Sequence, residues 1–547
     1  AARAEAERLL AERPRSVEGR VLLRLAEEPD LPLGAVRALG ATPAHIDRLA
    51  GRGFIRMYDR RVERDPVAAV RGGQRPPPAL SPEQLAAAET AWRERVTLIH
   101  GVTGSGKTEV YLDLVGRALR DGGGAIVLVP EISLTPQAIR RFGERFGDEL
   151  AVFHSRLSTG ELYDQWFRVE RGEARLVLGS RSAVFAPVRK LELVVLDEEH
   201  EWSYKQSDPV PRYHARDVAL KLGELTGARV VLGSATPDVV TYHRAETGQI
   251  VRVELATRLA PAEDGSVTEG ALPSVQVVDM REELRAGNRS MFSRALRQAV
   301  REALVAGEQA ILFVNRRGSA RFVLCRDCGF LPLCPSCEVA MSLDAEASIH
   351  AMLRCHHCGH AEALRGRCRN CGSVSLALAG AGTEQLEAAL RAIVAPLPVF
   401  RLDADTATGA SDELLARFEA ADAGVLVGTQ LVAKGHDFAG IELGLVVAAD
   451  AALAIPDYRA QERVFQLVTQ LAGRVGRGGC GGRVIVQARD PNARALRYAA
   501  NHDSTGFVRE ESEWRRTLGY PPFVELVYLE LHSPTAGREI GRASCRE

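Results

Sequence analysis

Short apolar runs set at helix-length intervals dominate the middle of the chain. The runs 96–99, 125–129, 176–178, 193–196 and 230–232 are continuous rather than alternating, and stretches of helical character separate them. Strands buried on both faces and joined through helices form a parallel α/β sheet. A second series begins at 310–314 and resumes with 425–427, 445–448 and 484–486, which predicts a second sheet of the same kind. Upstream, Val21, Leu22 and Leu25, then Leu33, Val36 and Leu39, fall at helical spacing; 44–49 predicts a third helix, and Phe54, Ile55 and Met57 a short strand. Three helices and a hairpin outline a winged-helix-like domain over residues 1–62, a fold that binds DNA or mediates protein contact. Gly72, Gly73 and the run Pro76, Pro77, Pro78 cannot continue a helix or strand, so 63–80 is read as a linker.

At 547 residues the chain has room for three or four domains. With 46% hydrophobic and 26% charged residues its usage is that of a globular protein, which excludes disorder throughout. The formal charge is −1, so any nucleic-acid partner must be met by local patches rather than a global basic field. No apolar run approaches 18 residues and no secretory segment opens the chain; neither membrane insertion nor export is expected, and the location read from this is cytoplasmic.

Specific chemistry begins where the run 96–99 ends. Gly101-Val102-Thr103-Gly104-Ser105-Gly106-Lys107-Thr108 is a full phosphate loop, placed between a predicted strand and a predicted helix. Its glycines let backbone N–H groups face phosphate oxygens, assisted by the positive end of the following helix. Lys107 is expected at the β- and γ-phosphates of ATP and Thr108 at Mg²⁺. Asp197-Glu198-Glu199-His200 closes the strand over 193–196, at the sheet edge where ligands of open α/β folds sit. Asp197 is suited to hold Mg²⁺ and Glu198 to polarise the attacking water. Gly233-Ser234-Ala235-Thr236-Pro237 ends another strand, with hydroxyls able to respond to nucleotide and to a bound strand. Gln470-Leu471-Ala472-Gly473-Arg474-Val475-Gly476-Arg477 places two guanidinium groups in the second α/β unit. Across a closing cleft, Arg474 and Arg477 would stabilise charge on the γ-phosphate.

Ten cysteines are too few for a disulfide scaffold, yet eight lie between 325 and 371 as four C-x-x-C pairs: Cys325/Cys328, Cys334/Cys337, Cys355/Cys358 and Cys368/Cys371. Eight thiolates complete two closed tetrahedral Zn²⁺ sites, which is a structural rather than a catalytic arrangement. Spacing leaves the pairing open. His356, His357 and His360 are substitute ligands that eight cysteines make unnecessary, and Cys480 and Cys545 have no partner. Because the block interrupts the second strand series, it is an insertion.

With these segments in order, the chain resembles a superfamily 2 helicase. GVTGSGKTEVY from Gly101, VPEISLTPQ from Val129, GSRSAVFAP from Gly179, LDEEHEWSYKQ from Leu196, GSATP from Gly233, VGTQLVAKGHDF from Val427 and QLAGRVGRG from Gln470 narrow the resemblance to the PriA family of bacterial replication-restart helicases. It runs from about residue 16 to 525. Leu431 and Val475 stand where the family pattern leads one to expect methionine and alanine.

The resemblance implies an α/β fold of two RecA-like parallel-sheet lobes, with a binuclear Cys₄ zinc insertion in the second and the winged-helix-like domain in front. The layout expected is lobe one over 81–260, lobe two over 261–324 and 373–500, the insertion over 325–372, and a shortened C-terminal domain over 501–547. The family's further N-terminal domain for a 3′ DNA end is missing from this reading, and the tail from about 537 reads as non-native sequence, so a fragment cut at both ends is expected. The implied activity is ATP-dependent 3′ to 5′ DNA unwinding that recognises abandoned forks and starts primosome assembly, by a monomer. The implied partners are single-stranded and forked DNA, single-stranded DNA-binding protein and the proteins that load the replicative helicase.

At the level of residues, the resemblance assigns Gln84 to adenine and adds Gln470 to Gly101, Thr103, Gly104, Ser105, Gly106, Lys107 and Thr108 as nucleotide contacts. It assigns Trp202, Tyr204, Lys205, Gln206, Arg212, Tyr213 and His214 to an aromatic-rich loop that senses DNA, where bases stack on ring faces whatever their identity. Thr429, Gln430, Lys434, Gly435 and Asp437 are assigned to the meeting of lobe two with DNA and nucleotide. The zinc pairing it implies is nested, with Cys325, Cys328, Cys368 and Cys371 on one ion and Cys334, Cys337, Cys355 and Cys358 on the other. Two other functions remain in view: a primosome scaffold with a dispensable motor, and another superfamily 2 translocase acting on RNA or duplex.

Overall fold

Seven parallel strands, the inner ones largely apolar on both faces, form the first sheet of the computed structural model. Their order is Leu150–Phe153, Leu176–Gly179, Gly124–Leu128, Leu191–Asp197, Arg229–Ser234, Val96–Gly101 and Val251–Leu255. Every pairing is parallel, so helices must return the chain between strands. Helices Pro82–Arg93 and Lys107–Arg120 pack on one face around Val110, Leu114, Val127 and Val195. Helix Ala215–Thr226 packs on the other, around Leu98, Ile126, Val194 and Leu232. The structure describes residues 2–58, 64–66, 78–130, 136–261, 267–314, 322–325, 327–328, 330–335, 341–344, 352–355, 359–379, 383–402, 411–428, 440–447, 449–453, 455, 457–476 and 481–527.

A second sheet of six parallel strands has the order Ser274–Asp279, Arg483–Ala488, Ile441–Val447, Gln309–Val314, Gly424–Gly428 and Val399–Leu402. These are the two RecA-like lobes. The cysteine block does interrupt the second: between Gln309–Val314 and Val399–Leu402 lies an antiparallel sheet of order Ala361–Ala363, Met352–Arg354, Ser342–Asp344, Phe322–Cys325 and Leu376–Ala379.

The lobes share a core. Val239 and Tyr242, on the first-lobe helix Val239–Glu246, sit in the same apolar cluster as Phe465, Val468 and Leu471 of the second. Helix Ser504–Leu518 closes that cluster with Phe507 and Val508, and the Phe507 ring stacks on Phe465 at 4.3 Å. The helix beyond the expected boundary at 500 is therefore packed into lobe two. Val475, where alanine is expected, is accommodated because Gly444 and Gly482 leave room for its methyls: a Cβ on either would lie 2.9 or 2.4 Å from them.

The chain divides into two units, residues 1–64 and 65–547. The first is helical: Ala2–Glu12, Val17–Glu27, Leu33–Ala38 and Pro43–Gly51 enclose Ala6, Val21, Leu22, Val36, Ile46 and Leu49. Its first helix was not foreseen, and the strand expected at Phe54, Ile55 and Met57 does not form. Phe54 N donates to Leu49 O and both Phe54 and Ile55 pack on the helices, so these apolar residues finish a helical core instead of pairing as a hairpin. Among the described residues this unit contains no strand. No helix among them is long and apolar enough to cross a membrane.

Candidate nucleotide and nucleic-acid site

The carboxyl ends of three adjacent strands gather the predicted ATPase residues. Gly101 ends one, Ser234 the next and Asp197 the third, with Asp197 in register with Gly233 and Ser234 with His100. The phosphate loop follows Gly101 and runs into helix Lys107–Arg120, whose first two residues are Lys107 and Thr108. Gly106 caps that helix at φ 77°, and a Cβ there would fall 2.2 Å from Gln84 Nε2, so both backbone and space require glycine. Lys107 is buried and its Nζ donates to Gly101 O at 2.8 Å. Ser105 Oγ is buried and makes no hydrogen bond among the described residues. A buried ammonium, an orphaned hydroxyl and a helix N-terminus fit the phosphates of a nucleotide.

Gln84 is fixed from two sides. Its Oε1 accepts from Ser81 N at 2.9 Å and its Nε2 donates to Ser105 O at 3.0 Å, which fastens helix Pro82–Arg93 to the phosphate loop. Any contact with a base is made from this braced position.

Asp197 is held by two tyrosines. Tyr111 Oη donates to Asp197 Oδ1 at 3.1 Å and Tyr204 Oη donates to its carbonyl at 2.7 Å. Burial and then the neighbouring Glu198 push Asp197 up to about 6, against the pull of Lys107. A poorly compensated carboxylate that feels the Lys107 ammonium of the phosphate loop fits a divalent cation. Glu198 has φ 48°, and its Oε2 is buried without a hydrogen bond, 3.5 Å from His200 Nδ1. Glu199, by contrast, is consumed internally: it accepts from Arg216 Nη1 at 3.1 Å, Thr241 Oγ1 at 2.8 Å and Asp238 N at 2.8 Å. Burial nevertheless raises it to about 7.

The second lobe reaches this site directly. Gln470 Nε2, which can only donate, lies 2.9 Å from His200 Nε2; His200 Nδ1–H then donates to Ser234 Oγ at 2.7 Å. Gly473 packs so tightly on the phosphate loop that a Cβ would fall 2.3 Å from Thr103 Cβ. Arg474 is the next residue. Arg258, buried between the lobes, donates to Val475 O at 3.0 Å. The lobes thus meet across the phosphate loop; Arg477 and Lys434 lie outside the described residues, as do Thr429, Gln430, Gly435 and Asp437.

The aromatic-rich loop is sorted by burial. Trp202 is 37% exposed, and Lys205 and Arg212 are exposed. Tyr213 is half-buried, edge-on to Phe185 at 4.9 Å with the Arg181 guanidinium 5.9 Å from its ring. Tyr204 is 1% exposed and packs in the lobe-one core, so its ring is not offered to a base. His214 caps helix Ala215–Thr226 by accepting from Arg216 N at 3.2 Å; burial holds it down at about 4, hence neutral. Gln206 braces the loop by donating to Pro209 O and Pro211 O. Sequence reasoning missed Tyr111, Arg181 and Phe185, although Tyr111 closes GVTGSGKTEVY and the other two sit within GSRSAVFAP.

In the insertion, the sulfurs of Cys325, Cys328, Cys368 and Cys371 all lie within 4.8 Å of one another. Cys325 and Cys371 are 3.6 Å apart and Cys328 and Cys368 3.5 Å, close to the roughly 3.8 Å edge of a tetrahedron with Zn–S near 2.3 Å. These are the four residues of the implied outer pairing, and they can hold a metal ion. Of the inner four, Cys334 and Cys355 are buried, while Cys337 and Cys358 lie outside the described residues.

Two RecA-like lobes meeting over a phosphate loop and an Asp-Glu-Glu-His segment define the helicase class. The DEAD/DEAH box helicase family matches residues 81–244. The replication restart protein PriA of Bacillus subtilis (strain 168) is 44% identical over 494 residues, covering 89% of this chain and 60% of that protein. The replication restart protein PriA of Treponema pallidum (strain Nichols) is 38% identical over 461 residues, covering 84% of this chain and 68% of that protein. This chain belongs to the PriA replication restart protein family. It spans about 60% of the length of the Bacillus and Synechocystis relatives. Among solved structures, RecG bound to a three-way DNA junction aligns over 80% of this chain and 47% of its own, with a TM-score of 0.46 and 15% identity.

Proposed function

We propose that the chain is the motor of an ATP-dependent DNA helicase that acts in replication restart. The observation that carries this reading is the junction of the lobes on the phosphate loop, where Gly473 packs on Thr103 and Gln470 bonds His200. Phosphates would be held by the loop backbone, Lys107 and Thr108, and Mg²⁺ by Thr108 and Asp197. The cation supplies neutralisation of charge on the transferring phosphoryl group. Glu198, whose Oε2 makes no hydrogen bond among the described residues, orients the attacking water; Arg474 and Arg477 add positive charge from the second lobe. Gln84, braced against Ser105, lies beside the loop where the base of the nucleotide would be received.

DNA is taken by the exposed part of the aromatic-rich loop. Trp202 offers a ring face, Lys205 and Arg212 meet phosphates, and Tyr213 with Phe185 and Arg181 forms a second stacking position; Lys434 is assigned to the same strand from lobe two. Tyr204 and His214 act behind this surface, because Tyr204 bonds Asp197 and His214 starts the helix that carries Arg216. Binding at the loop therefore reaches the acidic segment through short, stiff connections. Translocation is assigned 3′ to 5′, with forked DNA as substrate and with single-stranded DNA-binding protein and the helicase-loading proteins as partners. The insertion holds two Zn²⁺ ions in the nested pairing and is structural.

The test is unwinding of short forked duplexes carrying a single 3′ or 5′ tail, with ATP. Unwinding that requires the 3′ tail and vanishes in Asp197→Asn is expected. Equal unwinding from both tails would overturn the polarity, and activity in the variant would overturn the assignment of Asp197.

A further inference from the structure

Helix Ala460–Ala472 carries Gln470 and leads into Arg474, and Glu462 in its first turn is 3% exposed. Its Oε1 crosses the seam between lobes to accept from Val239 N at 2.9 Å. Val239 opens the first-lobe helix Val239–Glu246, directly after Gly233-Ser234-Ala235-Thr236-Pro237 and Asp238. On its own side, Glu462 Oε2 accepts from Arg515 Nη2 at 2.7 Å, and Arg515, fully buried, also donates to Glu511 Oε1 at 3.1 Å. Glu511 Oε2 in turn takes Arg494 Nη2 at 2.9 Å. Beyond the seam, Asp238 pairs with Arg216 at 3.2 Å, and Arg216 with Glu199, the neighbour of Glu198. A connected set of buried charges thus runs from helix Ser504–Leu518 to the acidic segment and to the helix begun by His214.

Buried charges give little net stability, but they are exacting about geometry, since each must find its partners or be left desolvated and alone. Glu462 has its full set only when the lobes sit in this register. Parting them would take Glu462 from Val239 N and leave that first amide without its partner, while Asp238 Oδ1 still caps Val240 N and Thr241 N.

We propose that Glu462, held by Arg515, is a positioning residue: by capping Val239 from across the seam it sets the register in which Ser234, His200 and Gln470 meet, so that stimulation of ATP hydrolysis by DNA depends on it although it touches neither. This rests on the helicase reading above. The register is set in the interior, and the exposed pair between the same regions, Arg509 with Glu246 at 3.9 Å, is a matched control.

The experiment compares the parent chain with Glu462→Ala, Glu462→Gln and Arg509→Ala. Three quantities are read: ATP turnover with and without single-stranded DNA, DNA affinity, and hydrogen exchange at the Val239 amide. Glu462→Ala is expected to lower the stimulation ratio about tenfold, the loss that follows from one charge-assisted hydrogen bond, with DNA affinity within about twofold and faster exchange at Val239. Glu462→Gln, which keeps an acceptor for Val239 N, recovers part of both, and Arg509→Ala changes neither. An unchanged ratio in Glu462→Ala, or equal effects of Glu462→Ala and Arg509→Ala, overturns the proposal. If Glu462→Ala fails to fold, Glu462→Gln decides: a partial loss of stimulation with partly raised exchange at Val239 supports the cap, and parental values in both Glu462→Gln and Arg515→Met overturn it. A parent chain without DNA stimulation defeats the helicase reading instead, and the Val239 exchange still judges whether Glu462 caps.

Discussion

Gly233 and Tyr111 should behave as one unit. A Cβ at Gly233 would fall 1.7 Å from Tyr111 Oη and 2.7 Å from Cζ, distances no real side chain tolerates, so Gly233→Ala must push the tyrosine away. That displacement breaks the hydrogen bond from Tyr111 Oη to Asp197 Oδ1. Overpacking costs about 1–3 kcal/mol and loss of a hydrogen bond to a charged group about 1.5–3 kcal/mol, so Gly233→Ala should destabilise the first lobe by roughly 3–5 kcal/mol. Tyr111→Phe alone loses only the hydrogen bond. In the double variant that bond cannot be lost twice and the 1.7 Å clash is gone, although the ring must still move away from the 2.7 Å contact at Cζ. The double variant should therefore be about 1.5–3 kcal/mol more stable than the sum of the single losses predicts. Urea unfolding of the four proteins, followed by far-ultraviolet circular dichroism, measures the cycle. Additive losses would mean that the tyrosine hydroxyl does not occupy the glycine's side-chain space.

His100 gives a pH signature. Burial lowers it from 6.5 to about 4, so the fold holds the neutral ring while the unfolded chain takes up a proton first. Stability present above the unfolded value is then lost as pH falls from 6.5 towards 4, at up to about 1.4 kcal/mol per pH unit. His100→Asn should flatten the melting-temperature profile relative to the parent in that window; an identical slope would refute the burial account. Asp197 and Glu199, raised by burial, gain protons with the opposite sign, so the difference between the two proteins is the quantity to read. Trp202→Ala should weaken single-stranded DNA binding by about 1–3 kcal/mol, whereas Tyr204→Phe should leave affinity unchanged, because that ring is in the core; the reverse order in a titration by fluorescence anisotropy would invalidate the sorting by burial. Cys368→Ser should release the ion held by Cys325, Cys328, Cys368 and Cys371, measured by metal analysis, and raise amide exchange across Phe322–Cys325 and Leu376–Ala379 while ATP binding persists. Full zinc retention would contradict the outer site.

The parallel sheets were legible because strands buried on both faces are continuous apolar runs, and 193–196 and 230–232 need no tertiary information to be read. The phosphate loop and the acidic segment were legible for a related reason: phosphates and Mg²⁺ demand fixed residue types at fixed spacing. Polar contacts made at a distance in sequence were not. Tyr111 looks like an ordinary helix residue until Gly233 and Asp197 are brought to it, and Glu462 is three residues into an amphipathic helix that any surface glutamate could occupy. Composition also misled about Tyr204, since an aromatic among lysines and arginines reads as a stacking platform whether its ring faces solvent or the core. At the N-terminal unit, Phe54 and Ile55 carry strand propensity, but four helices leave an apolar face that these residues satisfy without pairing.

In the proposed function, one nucleotide site, completed by the second lobe, is governed by a DNA strand. Steady-state ATP turnover by the intact chain, with and without single-stranded DNA and beside Lys107→Ala, tests it most directly. Turnover should rise on adding DNA and be absent in the variant under both conditions. Equal turnover with and without DNA, or stimulated turnover in Lys107→Ala, would contradict it.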